Sequence, residues 1–196
     1  MELKEHKSAL AALATLGVTA VAAGATAFVK IREKRRQQRE EAAKEAAEQG
    51  QLTAEQRMVY NEAISQFLRL NDRIYELRRH RQELQPLIQW LATAGKEPEV
   101  ETDVEEVLQL KADIGRFMTT GVPFINASLC NIDKTGTTFA DHVRGAVGGT
   151  FDATLDEEPT GADIANGAPI NFVLRLGYYF PDSTISPYPV KSIVLA

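Results

Sequence analysis

The chain has 196 residues, of which 44% are hydrophobic and 25% are charged, and its formal net charge is −5. This balance argues against a nucleic-acid-binding protein, because the one basic block is short and adjoins an apolar run. The single cysteine, Cys130, excludes an intramolecular disulfide.

An uncharged run opens the chain, from Ser8 to Val29, and the basic stretch KIREKRRQQR follows it directly. As a helix the run would be about 33 Å long, against a bilayer core of about 30 Å. We therefore predict that residues 1–29 form a transmembrane anchor. A signal peptide and an Ala-rich soluble or interfacial helix are the alternatives. Glu2 and Glu5 argue against the signal peptide, because they cancel the charge expected of its first region.

Small residues recur in this run at steps of three or four, so that they share one narrow stripe of a helix. Such a stripe lets transmembrane helices approach closely. The residues predicted to pack a membrane helix in this way are Gly17, Ala20, Gly24 and Ala27.

Basic residues just after a span stay on the cytoplasmic side of the membrane. The sequence therefore predicts a single-pass protein with its N-terminus outside and its bulk in the cytoplasm. Residues 30–50 are expected to continue as a basic helical stalk without an apolar face, ended by Gly50. The flanking basic residues are Lys30, Arg32, Lys34, Arg35, Arg36 and Arg39.

A coiled-coil or helical-hairpin segment is predicted over residues 51–118, and Thr53 with Gln56 has the spacing of a capping box at its start. Apolar residues then repeat at seven-residue steps in two columns, a pattern typical of a coiled coil. The columns are Tyr60, Phe67, Ile74, Arg81 and Ile88, and Ala63, Leu70, Leu77, Leu84 and Leu91.

Two features of this segment leave alternatives open. Arg81 is the one charge in the columns, and it either fixes register or snorkels from a seam that opens near Pro86. The columns fit helices of another copy or of a partner protein, and they also fit a hairpin within one chain. A further helix with an apolar face is expected between Val100 and Met118, folding back on residues 84–94.

The stretch TTGVP is expected to close the helical part, and residues 119–196 are predicted to form a β-rich interaction head. Its best strand alternates over eleven residues, from Ile170 to Phe180. The alternating residues predicted to make a docking strand are Ile170, Phe172, Leu174, Leu176, Tyr178 and Phe180. Shorter strand candidates are residues 124–132, 149–155 and 190–196.

Catalytic and metal-binding signatures are weak. No two of the three histidines, His6, His80 and His142, share a ligand spacing, so neither a metal site nor a cofactor is expected. Cys130 and His142 are the raw material of a thiol nucleophile and its base, but no motif surrounds them.

The expected fold class is mainly α with a small β-rich C-terminal region: a transmembrane helix, a long helical stalk and coiled coil, then a short antiparallel sheet. The expected function is that of a non-enzymatic, membrane-anchored scaffold that bridges a membrane to a large protein assembly, as a homo-oligomer or with partner helices. In layout alone, the Ala-rich start and long coiled coil are similar to the pilot proteins of small tailless phages. A minor virion protein, for DNA delivery or for linking capsid to membrane, is therefore the alternative. A membrane-tethered hydrolase using Cys130 and His142 is the second alternative.

Overall fold

The computed structural model describes residues 51–145 and 148–196, together with Lys34, residues 36–38 and Glu41. Contacts divide the chain into two units, Met1–Glu45 and Ala46–Ala196. About half of the described part of the second unit is helical, and the rest carries a few short strands.

Three α-helices form the first half of this unit. Helix α1 spans Ala54–Glu76, a 3₁₀ turn follows at Arg78–His80, α2 spans Arg81–Thr93, and α3 spans Glu105–Ile132. The predicted capping box begins α1: the Thr53 N–H donates to Gln56 Oε1 at 2.9 Å, and the Gln56 N–H donates to Thr53 Oγ1 at 3.2 Å. Two N–H groups that the first helical turn leaves unpaired thus find acceptors.

The long coiled coil predicted as one continuous element within residues 51–118 is wrong. The heptad columns cross two helices, because the chain leaves the α-helical path at Leu77 and restarts at Arg81. Every apolar member of the columns is buried against the rest of this chain. Arg81 is exposed, and its guanidinium lies 5.2 Å from the centre of the Phe172 ring.

Helix α3 continues through the expected stop at Gly121 and Pro123, and residues 124–132 are helical, which corrects the strand predicted there. Pro123 is exposed, so its ring and its missing N–H meet solvent instead of the core. Burial of Val122, Ile125 and Leu129 on the opposite face carries the helix past the proline. Tertiary packing here outweighs local propensity.

Five short strands follow α3 and the 3₁₀ turn at Phe139–His142: β1 (Val143–Arg144), β2 (Asp156–Glu157), β3 (Phe172–Arg175), β4 (Gly177–Tyr178) and β5 (Ser192–Leu195). Strands β1 and β4 pair antiparallel. In the other sheet β5 lies between β2 and β3, parallel to β2 and antiparallel to β3. The expected all-antiparallel sheet is therefore wrong.

The predicted eleven-residue strand is divided in two, because its ladder is interrupted between Val173 and Arg175 and ends before Leu176. Residues 149–155 contribute only a single bridge, between Thr150 and Pro169. The terminal strand is present as β5.

Phe67 on α1 lies at the centre of a core that helices and strands share. Its ring packs edge to face against Phe139, Tyr178 and Phe180 at centroid distances of 5.4, 5.4 and 5.6 Å. Aromatic pairs of this kind add about 0.5–1.5 kcal/mol each beyond their area burial. The segments on either side of residue 119 thus contribute side chains to the same core.

In the described ranges, none of the helices is long and apolar enough to cross a membrane. Their apolar stripes pack into the core of the chain, and their other faces carry charged residues. The prediction of a single-pass membrane protein is therefore corrected, since the structure gives that class and that localisation no support. The predicted span at residues 8–29 itself lies outside the described residues, as does most of the predicted stalk.

Candidate functional site: the groove between α1 and α3

Helices α1 and α3 run antiparallel and pack along most of α1. The Met58 end of α1 lines a hollow with Phe124, and the Arg73 end lines a hollow with Leu110. Two small buried residues, Ala63 on α1 and Gly121 on α3, line the space between the helices. Gly121 also leaves room for the ring of Phe117, one turn earlier on α3, which would lie 2.2 Å from a Cβ atom at that position. At this point the two helices leave a surface groove, called here the α1/α3 groove.

One half of the groove is apolar. It is a hollow of about 350 Å³. Three large apolar side chains on its walls are exposed: Met58 by 68%, Val59 by 38% and Phe124 by 53%. Scattered exposed apolar residues are ordinary, but three of them around one hollow form a patch of the kind that marks interaction sites. The residues of this apolar half are Met58, Val59, Ala63, Gly121 and Phe124.

The other half is lined by arginines. It is a hollow of about 540 Å³, and because Gln66 and Thr120 border both hollows, the two are neighbours along the helices. The charged residues of this arginine half are Arg69, Arg73, Arg116 and Asp113.

Each of these arginines has an acidic neighbour. Arg69 Nη2 lies 3.3 Å from Glu62 Oε1, Arg73 Nη1 lies 3.0 Å from Glu76 Oε2, and Arg116 Nη1 lies 3.4 Å from Asp113 Oδ1. All six side chains are more than a third exposed. Ion pairs in such positions contribute about 0–1 kcal/mol, so other carboxylates can replace these partners at little cost.

A second, smaller cleft of about 270 Å³ lies between the 3₁₀ turn at Phe139–His142 and residues 189–191. Its acid, Asp141, accepts hydrogen bonds from the N–H and the hydroxyl of Thr138, both at 2.8 Å, and these bonds lower the pKa of Asp141. The ring nitrogens of His142 contact Tyr179 O at 2.9 Å and Thr137 Oγ1 at 3.4 Å. The polar groups on this side of the cleft thus hold loops in place.

Cys130 is exposed on α3. Within the described part of the chain no hydrogen bond joins it to His142, whose ring nitrogens contact Tyr179 and Thr137. Among the residues that the structure describes, no three His, Cys, Asp or Glu side chains are placed to hold one metal ion.

The residues predicted for docking are placed differently from the groove. In the alternating stretch of residues 170–180, all but Phe172 of the predicted side chains are buried in the core of the chain. The predicted membrane-packing residues Gly17, Ala20, Gly24 and Ala27 lie outside the described residues. The same holds for the predicted basic flank except Lys34 and Arg36, which are helical and exposed.

Comparison of the chain with protein-family models, with curated proteins and with solved structures finds no match. A function for this chain is therefore inferred from its own fold and from the α1/α3 groove.

The sequence contains a signal for the groove that lies outside the heptad pattern. Met58 and Val59 are large apolar residues at positions outside both columns, where a solvated helix face carries polar residues. Phe124 has no comparable signal, because its exposure depends on α3 continuing past Pro123.

Proposed function

We propose that this protein is a non-enzymatic structural component of a larger protein assembly, and that it joins the assembly by binding a helix of another protein in the α1/α3 groove. The observation that supports this most directly is the exposure of Phe124, 53%, facing Met58, 68%, across one hollow. Burying one large apolar side chain completely is worth about 1.5–3 kcal/mol, so this pair offers a substantial part of a binding energy.

The exposed residues are not the result of a loosely filled core. Tyr60, Phe67, Phe139 and Phe180 are fully buried. A groove between two antiparallel helices has the shape that accepts a third helix, which lays its apolar side chains along the floor. The walls of the groove are rigid helices, so binding there costs little ordering of this chain.

The test is co-purification of the full chain from its native source with a groove variant and a matched control. Phe124→Asp places a charge in the apolar half, while Tyr188→Asp places the same charge on a side chain that is 77% exposed and outside the groove. We expect the Phe124→Asp protein to purify without the other proteins of the assembly and the Tyr188→Asp protein to purify with them. The two variants should have equal melting temperatures.

A photo-crosslinking residue at Glu62, on the rim of the apolar half, identifies the neighbour directly. The crosslinked protein decides whether the host is a cellular complex or a virion. Equal recovery of the same assembly by both variants would contradict the proposal.

A further inference from the structure

We propose that the helix bound in the α1/α3 groove is acidic in one half, with its carboxylates meeting Arg69, Arg73 and Arg116. This inference rests on the proposed function, because it concerns the charge and the orientation of the same partner helix.

The first argument is the division of the groove along its length. From Met58 to Arg73 helix α1 advances roughly 22 Å, which a partner helix of about fifteen residues would match. The apolar half lies at the Met58 end and the arginine half at the Arg73 end. A partner that fits both halves is apolar in one half of its length and charged in the other.

The sign of that charge follows from the side chains that line the arginine half. Three arginines line it with one acid, Asp113, whereas the chain as a whole has a net charge of −5. Glu62 borders the apolar half, and Glu76 does not line the groove. Complementary potential across an interface fixes register and excludes partners of the wrong charge. Three of the four charged residues that line this half are arginines, and this favours an acidic segment over a basic one once the arginines exchange their present partners.

The present ion pairs do not prevent this exchange. The three guanidinium groups and their three carboxylate partners are all exposed to water. The arginines can therefore turn from Glu62, Glu76 and Asp113 to carboxylates of a partner. A helix that covers the groove excludes water, and hydrogen bonds between arginine and carboxylate are stronger where water is excluded. Arginine can also bind a partner's carboxylate in bidentate geometry, with two parallel hydrogen bonds.

The experiment measures binding of three stapled helical peptides to the full chain by fluorescence anisotropy at low salt. The peptides share Leu and Phe in one half and differ in the other half, which carries Glu, Gln or Lys. We expect the Glu peptide to bind about tenfold more tightly than the Lys peptide, a difference typical of an electrostatic contribution to binding.

Two sets of variants locate the effect. Replacing Arg69, Arg73 and Arg116 together by Gln is expected to bring the three affinities together. Replacing Arg78, Arg79 and Arg144 by Gln, as the matched control, removes three exposed arginines outside the groove and leaves the preference intact. Phe124→Asp and Met58→Asp are each expected to weaken the binding of all three peptides.

Each other outcome decides a specific point. If the three peptides bind the wild-type chain equally and none binds the Phe124→Asp variant, the charge inference is overturned and the proposed function stands. If no peptide binds and the full chain forms a dimer that Phe124→Asp dissociates, a second copy occupies the groove and the acidic helix is overturned. If no peptide binds and Phe124→Asp also leaves the native assembly unchanged, both proposals fall.

Discussion

The side-chain amide of Asn71 forms two hydrogen bonds with the backbone of Leu176. Asn71 Nδ2 donates to the Leu176 carbonyl oxygen at 2.8 Å, and the Leu176 N–H donates to Asn71 Oδ1 at 2.8 Å. Gln85 on α2 makes the same pair of bonds with Val173, at 3.1 and 3.0 Å. Two helical side chains thus occupy backbone groups of the 172–176 segment that a further strand would otherwise pair.

Asn71 is 1% exposed, so its removal leaves an N–H and a carbonyl of Leu176 without partners inside the protein. We expect Asn71→Ala to lower the free energy of unfolding by at least about 2 kcal/mol, because each of the two unpaired buried groups costs about 1–3 kcal/mol. Urea denaturation measures this. Asn171→Ala, at an exposed position, is the control and should change stability by less than about 0.5 kcal/mol. Equal midpoints for the two variants would contradict the role given to Asn71.

Local chemistry could be predicted from the sequence, whereas the arrangement of the helices could not. The capping box at Thr53 and the terminal strand β5 depend on a few neighbouring residues, and both were predicted. The apolar residues of the heptad columns are buried, but a buried stripe has nearly the same period whether its partner is another chain or the same chain. The sequence left both open, and the break at residues 77–80 carries neither Gly nor Pro.

The candidate site depends on this arrangement of the helices. Met58 and Val59 could be recognised in the sequence as large apolar residues outside the two heptad columns. The groove, however, exists only because α3 lies beside them. Asn71 and Gln85 gave no sequence signal for their bonds to Leu176 and Val173, about a hundred residues away.

The hydroxyl of Tyr60 donates to the Pro181 carbonyl oxygen at 3.0 Å and attaches α1 to the turn after β4. Burial, followed by the charges of Asp182 and Tyr179, raises the pKa of Tyr60 well above its ordinary value. The folded state therefore holds this proton more tightly than the unfolded state. The resulting stability is fully present below the unfolded pKa of about 10 and is lost as the pH rises above it.

We expect Tyr60→Phe to cost about 1 kcal/mol at neutral pH and to show a smaller loss of stability than the wild type between roughly pH 9 and 11. Melting temperatures across this range measure both effects. Tyr188→Phe is the control, because that side chain is 77% exposed. Parallel pH profiles for the wild type and Tyr60→Phe would show that Tyr60 carries no such linkage.

Gly177 opens β4 at a point where two backbone segments almost touch. A Cβ atom there would lie 2.6 Å from the Ser192 nitrogen and 2.9 Å from the Val190 oxygen, and backbone atoms cannot move aside as a flexible side chain can. We expect Gly177→Ala to destabilise the protein by about 1–3 kcal/mol, the usual cost of overpacking. Thermal unfolding measures the loss.

Gly115→Ala is the matched control for that variant. Its Cβ would meet only the Trp90 ring, at 3.4 Å, on a helix where alanine is favoured over glycine by about 1 kcal/mol. It should unfold at the wild-type temperature or above it. A Gly177→Ala protein that is as stable as the control would mean that β4 and β5 separate easily at this point.

Leu77 distinguishes a core within one chain from a seam between chains. It is 4% exposed and belongs to the core that also holds Ile74 and Leu84. We expect Leu77→Ala to lower the free energy of unfolding by about 2–4 kcal/mol, through lost transfer energy and the cavity left behind. The sedimentation mass of the folded protein should stay the same, because Leu77 contacts its own chain. Met58→Ala, which removes an apolar side chain that is 68% exposed, should unfold within about 0.5 kcal/mol of the wild type. A Leu77→Ala protein of wild-type stability and lower mass would instead place the heptad columns between chains.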